Sequence, residues 1–180
     1  MDVLMKEVYI FDIDGCIMPS IFKNFDSGKP RKKIIQDAIK NGNQTKLYTE
    51  FIVFYKKYCT YAESIYFLTG RKNKEFGKFT ETQLQGLTEF KDFQIIYYPE
   101  RKSYKSHQYF AWKVKEIRKI IKESIKKVLE EEKLKELLKF NIFDDMNNHF
   151  PKIKKIKELS NRQIHLTVIE SKNNWKLLNL

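Results

Sequence analysis

The chain has no apolar run approaching the roughly 18 residues that span a bilayer, so no membrane partner is expected. Its opening, Met1–Glu7, runs straight into a strand-like segment without the apolar h-region of a secretory signal. Cysteine is scarce: Cys16 and Cys59 form neither a disulfide framework nor a metal-ligand pattern. An intracellular, reducing compartment is the default, and we expect a cytoplasmic protein. Alanine is nearly absent, and only five of the 35 basic residues are arginine (Arg31, Arg71, Arg101, Arg118, Arg162). We find no internal repeat, low-complexity segment or linker, and expect one domain over residues 1–180.

Much of what is present fits an ordinary globular protein. Hydrophobic residues make up 42% and aromatics 14% of the chain, enough for a proper core at this length. The formal charge of +12 invites a polyanion such as nucleic acid. Bidentate recognition of phosphate and bases favours arginine, however, and the excess here is lysine, which also suits plainly solvated helix faces. The lysines of 152–157 read as one such face.

The richest stretch is Val8-Tyr9-Ile10-Phe11-Asp12-Ile13-Asp14-Gly15. An apolar strand ends here in two carboxylates and a turn glycine. Asp12 and Asp14, two residues apart, would share one side of the strand's carboxyl end, where open α/β sheets bind ligands. Two like charges there need a cation between them, and a divalent metal is the obvious candidate.

Downstream the rhythm is strand then helix. An irregular loop, Cys16 to Pro30, contains Gly28; helices are expected over 31–41 and 46–59. Strands follow at Ser64–Leu68 and Phe93–Tyr98, with a helix over 74–86 between them. A long helix from about Ser106 to Leu138 carries an apolar stripe, Val114, Ile117, Ile121, Ile125, Val128 and Leu129. Phe140–Phe143 is a fourth strand capped by Asp144 and Asp145. A helix around 150–159 and a strand from Gln163 to Ile169 complete the alternation, which predicts a doubly wound parallel sheet with helices on both faces.

Four segments carry chemistry in order: Asp12-x-Asp14-Gly15; Phe67-Leu68-Thr69-Gly70-Arg71; Lys113 in Phe110-Ala111-Trp112-Lys113; and Ile142-Phe143-Asp144-Asp145. Their order, spacing and strand context resemble the four motifs of the haloacid dehalogenase (HAD) superfamily of phosphohydrolases. The resemblance implies an α/β, HAD-like doubly wound parallel sheet, a Rossmann-like three-layer sandwich. About 54 residues separate Asp14 from Thr69 and about 43 separate Thr69 from Lys113, so the chain is expected to be capless or minimally capped.

The chemistry also follows from the residue types. A carboxylate at Asp12 can attack phosphorus and form an aspartyl-phosphate. Asp14 is placed to protonate the leaving oxygen and then activate water, with clustered carboxylates helping it hold a proton. Mg²⁺ binds through a few carboxylates plus substrate phosphate. Asp12, Asp144 and the backbone carbonyl of Asp14 are the expected ligands, with Asp145 as a further acid or a helix N-cap. Thr69 would hydrogen-bond a phosphoryl oxygen, beside the flexible Gly70. Lys113, chosen over Lys102, Lys105 and Lys115, would neutralise Asp12 and the developing charge. Arg71 reads as either substrate-facing or surface, Cys16 as a small filler, and His107 and His165 as structural.

Leu68-Thr69-Gly70-Arg71 with Phe76, Asp92-Phe93, Trp112-Lys113 and Phe143–Phe150 further resemble the HAD domain of "Swiss Army Knife" RNA repair-like proteins. They are similar as well to polynucleotide 3′-phosphatase domains. In that pattern His149 matches a substrate-side histidine, against a helix-start role. Asp145-Met146 stands where the family has Asp-Arg, which puts an arginine-mediated substrate contact in doubt. The resemblance implies phosphate removal from a nucleic-acid end; nucleotides, sugar phosphates and non-catalytic phosphate binding are the alternatives. The oligomeric state is not legible.

Overall fold

The structure, a computed structural model, describes residues 5–22, 29–102, 106–132, 138–157, 163–169 and 172–178. Five strands, β1 (Lys6–Phe11), β2 (Ser64–Thr69), β3 (Gln94–Tyr97), β4 (Leu138–Asp144) and β5 (Gln163–Val168), form one sheet in the order β3-β2-β1-β4-β5. Every pairing is parallel; Ile10 of β1 lies between Tyr66 of β2 and Ile142 of β4. The helices are α1 (Arg31–Asn43), α2 (Thr49–Phe54, continued by a π-turn over Tyr55–Cys59), α3 (Asn73–Leu84), α4 (Ser106–Glu132), α5 (Phe150–Lys154) and α6 (Lys172–Leu178). This is a Rossmann-like α/β fold.

Parallel strands connected through helices are covered on both faces, which is why β1 reads as a continuous apolar run, buried from Val8 to Phe11. The pleat sorts that run. Tyr9 and Phe11 face an aromatic layer with Phe51, Phe54, Phe67, Phe143 and Trp175. Val8 and Ile10 face a more aliphatic one with Ile117, Ile120, Ile121 and Ile153 of α4 and α5. A third, small cluster joins Ile21 and Ala38 to Phe76, with Phe22, Ile35 and Phe79 packed around it. It ties α1 and the loop before it to α3.

Three expectations change. The long helix was read as far as Leu138, but Leu138 is buried and opens β4, opposite Lys6 of β1. Leu-Lys-Glu-Leu-Leu fits either period, and only pairing with β1 decides; residues 133–137 lie outside the described residues. The helix around 150–159 is short, with α5 ending at Lys154; 158–159 again lie outside, as does Gly28 in the loop. Finally, α6 follows the last strand. It has a single buried anchor, Trp175, whose indole Nε1 donates to the Cys16 carbonyl at 2.8 Å, and one anchor makes no readable stripe. Cys16 and Cys59 are free and buried, as a filler should be. His107 and His165, read as structural, are exposed, while the lysines of 152–157 form the solvated face expected.

Candidate functional site

The strand order reverses between β1 and β4, and at such a switch point the loops part and leave a crevice beyond the carboxyl ends. Asp12 and Asp144 stand on its two sides. The Asp12 amide donates to the Phe143 carbonyl at 2.9 Å, which extends the ladder one residue and fixes the first carboxylate beside the second. Asp12, Asp144 and Asp145 each offer a carboxylate oxygen, and these atoms lie within 4.8 Å of one another. Asp12 and Asp144 are 6% and 3% exposed, which is far from the usual place for a carboxylate.

Lys113 rises into this cluster from α4. Its ammonium lies 2.9 Å from Asp12 Oδ1 and donates to Asp144 Oδ2, with 1% of the side chain exposed. One turn earlier on the same helix face, the Tyr109 hydroxyl donates to Asp12 Oδ1 at 3.4 Å, and its ring centroid sits 5.0 Å from the Lys113 ammonium. Asp144 Oδ1 accepts the Met146 amide at 3.0 Å.

Three carboxylates against one ammonium leave an excess of negative charge, and the titration behaviour follows from it. Burial pushes Asp12 well above the usual carboxylate range; Lys113 opposes this, while Asp144 and Asp145 add to it. Burial and the Asp144 charge push Asp145 up to about 6. Burial also works against Asp144, but Lys113 and His149 hold it below its ordinary value. Lys113 loses hydration on burial, yet Asp12, Tyr109 and Asp144 keep it firmly protonated.

Asp14 stands apart from this cluster. Its carboxylate is bidentate with Arg71, Nε to Oδ2 at 2.8 Å and Nη2 to Oδ1 at 2.9 Å, and it also accepts the Ile21 amide at 3.1 Å. The clustered carboxylates expected around Asp14 surround Asp12 instead. Arg71 is neither a surface residue nor open to substrate: it is fully buried, and Nη1 donates to Thr80 and Gln83 at 3.1 and 2.6 Å. Thr69 is fully buried too, its hydroxyl oxygen accepting the Arg71 amide at 3.1 Å.

At the site, close approach excludes a side chain at Gly15 and crowds one at Gly70. Gly15 has φ +86°, and a Cβ there would lie 2.5 Å from Asp145 Oδ2. At Gly70 a Cβ would meet the Tyr109 ring at 3.3 Å. Of the two roles weighed for His149, the structure places it at the helix start, away from the lining of the cavity above the acids. It is the residue before α5, and its fully buried ring puts Nε2 3.2 Å from Asp144 Oδ2, though neither ring nitrogen makes an aligned hydrogen bond. Asp145 is not a helix N-cap, because the helix starts five residues later, at Phe150, with His149 before it.

Above the acids lies a cavity of about 460 Å³. Asp12, Asp14, Gly70 and Asp145 line its floor; Phe22, Ile34, Ile35, Phe76 and Phe110 form apolar walls. Sequence reasoning missed these walls and Tyr109. For Tyr109 a signal existed, because a residue four before Lys113 shares its helix face.

Fold and site define an α/β protein with a Rossmann-like sheet and a buried acidic centre at its switch point. No family model matches the chain, and no curated protein does. A solved structure described as "Structure of Pnkp1/Rnl/Hen1 complex" is similar over 94% of this chain and 48% of that one, at 17% identity and a TM-score of 0.48. The chain therefore spans about half the length of the one it is similar to.

Proposed function

We propose that this protein is a Mg²⁺-dependent phosphohydrolase that works through an aspartyl-phosphate and acts on phosphorylated polynucleotide ends. The observation that carries the reading is the Lys113 ammonium 2.9 Å from Asp12 inside a buried three-carboxylate cluster. A buried, unbalanced charge group of this kind is costly to fold and marks chemistry more often than stability.

The donor set suits a hard cation. Three carboxylate oxygens within 4.8 Å, carrying more negative charge than Lys113 offsets, match the oxygen preference of Mg²⁺. Asp12, Asp144 and Asp145 would hold it, with the Asp14 carbonyl. Once bound, Mg²⁺ would keep the carboxylates ionised and neutralise charge on the phosphoryl oxygens.

The chain's own residues account for the rest. A carboxylate oxygen of Asp12 attacks phosphorus as the bond to the leaving oxygen breaks, and Asp14, once it has taken up a proton from solvent and loosened its pairing with Arg71, gives that proton to the leaving oxygen. Water then attacks phosphorus as the bond from phosphorus to the Asp12 oxygen breaks, Asp14 takes the water's proton, and phosphate departs with the Asp12 carboxylate restored. Arg71 positions Asp14, and Lys113 and Tyr109 hold the Asp12 carboxylate in place. The apolar walls keep bulk water from the reacting group.

A small phosphate monoester is the second reading, favoured by the cavity's size, which lies within the range of small-ligand sites. Hydrolysis of p-nitrophenyl phosphate with Mg²⁺, set beside 3′-phosphorylated oligonucleotides, nucleotides and sugar phosphates, tests both. Turnover lost in Asp12→Asn is expected. Phosphate binding without turnover of any substrate would leave only a binding module, and equal rates on all classes would remove the polynucleotide preference.

A further inference from the structure

A second concavity, of about 980 Å³, opens between the end of α1 and the outer side of α3. Its lining differs in kind from that of the catalytic cavity. Lys46, Lys74 and Lys78 are exposed along it, and none of them pairs with a carboxylate among the described residues. Lys74 and Lys78 are four residues apart on α3, so their ammonium groups leave the same helix face. Asn73 adds an exposed amide group, and the half-buried Phe79, whose ring also packs against Gly42 and Arg71, reaches the lining. Glu75 is the one carboxylate in this lining, and it also lines the catalytic cavity, so the two spaces meet at the start of α3.

They are also joined through side chains. Asp14 holds Arg71, Arg71 Nη1 donates to Gln83 Oε1 at 2.6 Å, and Gln83 Nε2 donates to the Gly42 carbonyl at 3.1 Å. The groove floor is thus tied to the acid placed beside the scissile group.

We infer that this groove carries the single-stranded polynucleotide running away from the phosphate held at Asp12, an inference that rests on the proposed function for its direction. Unpaired ammonium groups beside an aromatic ring and neutral amides are what a single strand uses: lysines on backbone phosphates, a ring for stacking, amides for sugar and base edges. An acidic peptide would use the lysines alone. Glu75 at the junction is the place where no backbone phosphate sits.

The triple variant Lys46→Glu/Lys74→Glu/Lys78→Glu tests this, because all three side chains are exposed and outside the catalytic machinery. Binding of fluorescent single-stranded RNA and DNA oligonucleotides, a blunt duplex and polyglutamate is measured across a salt series, alongside p-nitrophenyl phosphate hydrolysis. Losing three phosphate contacts is expected to weaken single-strand binding roughly a hundredfold near 0.1 M salt and to lower the log–log salt slope by about 2. The RNA and DNA arms show which strand is preferred. Hydrolysis of the aryl phosphate should stay within about twofold of wild type. Unchanged single-strand affinity in the variant, or an equal loss for polyglutamate, would overturn the groove assignment while leaving the phosphatase reading intact. If the wild-type protein never hydrolyses a phosphate ester but the variant still loses single-strand binding, the groove stands and the enzymatic reading falls.

Discussion

The two ends of the same strands carry the same kinds of charge in opposite arrangements. At the amino edge, Glu7 of β1 accepts Lys139 at 2.8 Å and Asn141 at 3.2 Å, and Glu63 beside β2 meets Lys127 at 2.8 Å and Lys6 at 3.7 Å. The lysines and glutamates of these pairs are 16–55% exposed, and lysines outnumber glutamates. At the carboxyl edge three aspartates crowd one lysine, and Asp12, Asp144 and Lys113 are almost wholly buried. Water screens the first set, so each pair is worth about 0–1 kcal/mol. Nothing screens the second, where desolvation exceeds what a single ammonium returns. An arrangement that folding alone disfavours points to a ligand that restores the balance.

The largest test of this contrast is catalytic. Asp12→Asn is expected to reduce p-nitrophenyl phosphate turnover by at least about a thousandfold, with no fall in Tm, because it relieves charge crowding. More than a tenth of wild-type activity would remove Asp12 as nucleophile. Next comes a matched pair of lysine deletions. Lys113→Met leaves buried carboxylates without their partner and should destabilise by roughly 3–5 kcal/mol in urea unfolding. Lys139→Met at the amino edge should cost less than about 1 kcal/mol, and equal losses would erase the distinction between the two edges.

The third test is pH. Asp145 is pushed up to about 6, so it holds a proton below that pH and a cation must displace it. The rise in Tm that Mg²⁺ produces should therefore be large at pH 7.5, small at pH 5, and half-developed near 6. A rise independent of pH would take Asp145 out of the cation site.

A smaller effect is expected from Tyr109→Phe, which removes one hydroxyl beside Asp12. Loss of about 1 kcal/mol corresponds to roughly fivefold in kcat, and no change would make Tyr109 only a wall. Smallest is Glu7→Gln. Burial pushes the Glu7 carboxyl up, but Lys139 and the Tyr9 hydroxyl outweigh it and hold it below the usual range. A lowered carboxyl contributes stability that is present above its unfolded value and lost as pH falls through its folded one. Wild type and Glu7→Gln should thus differ slightly at pH 7 and converge in urea midpoints as pH falls below the usual carboxylate range.

The contrast also explains what was legible. The amino edge of β1 looked unremarkable in sequence, whereas Asp12 and Asp144 were visible because an apolar run buried on both sides is interrupted by charge only where the strand ends. Lys113 was one of several candidates on a lysine-rich helix, and nothing local separates it from Lys115. What selects it is that Trp112, Ile117 and Ile120 pack α4 on the sheet and turn that position toward β1 and β4. Arg71 was singled out beside Thr69 and Gly70, but its pairing with Asp14 had no local signal, since the two lie 57 residues apart.

The parallel α/β alternation and the acids at its strand ends were readable from the residues alone, because a pleat of period two and burial on both faces leave their imprint residue by residue. Which charges meet was set by how the chain packs in three dimensions. It joined Asp12, Asp144, Asp145 and Lys113 into one unbalanced cluster and drew Asp14 away to Arg71. Those pairings depend on strand order and helix docking across the whole chain, and no local pattern encodes them.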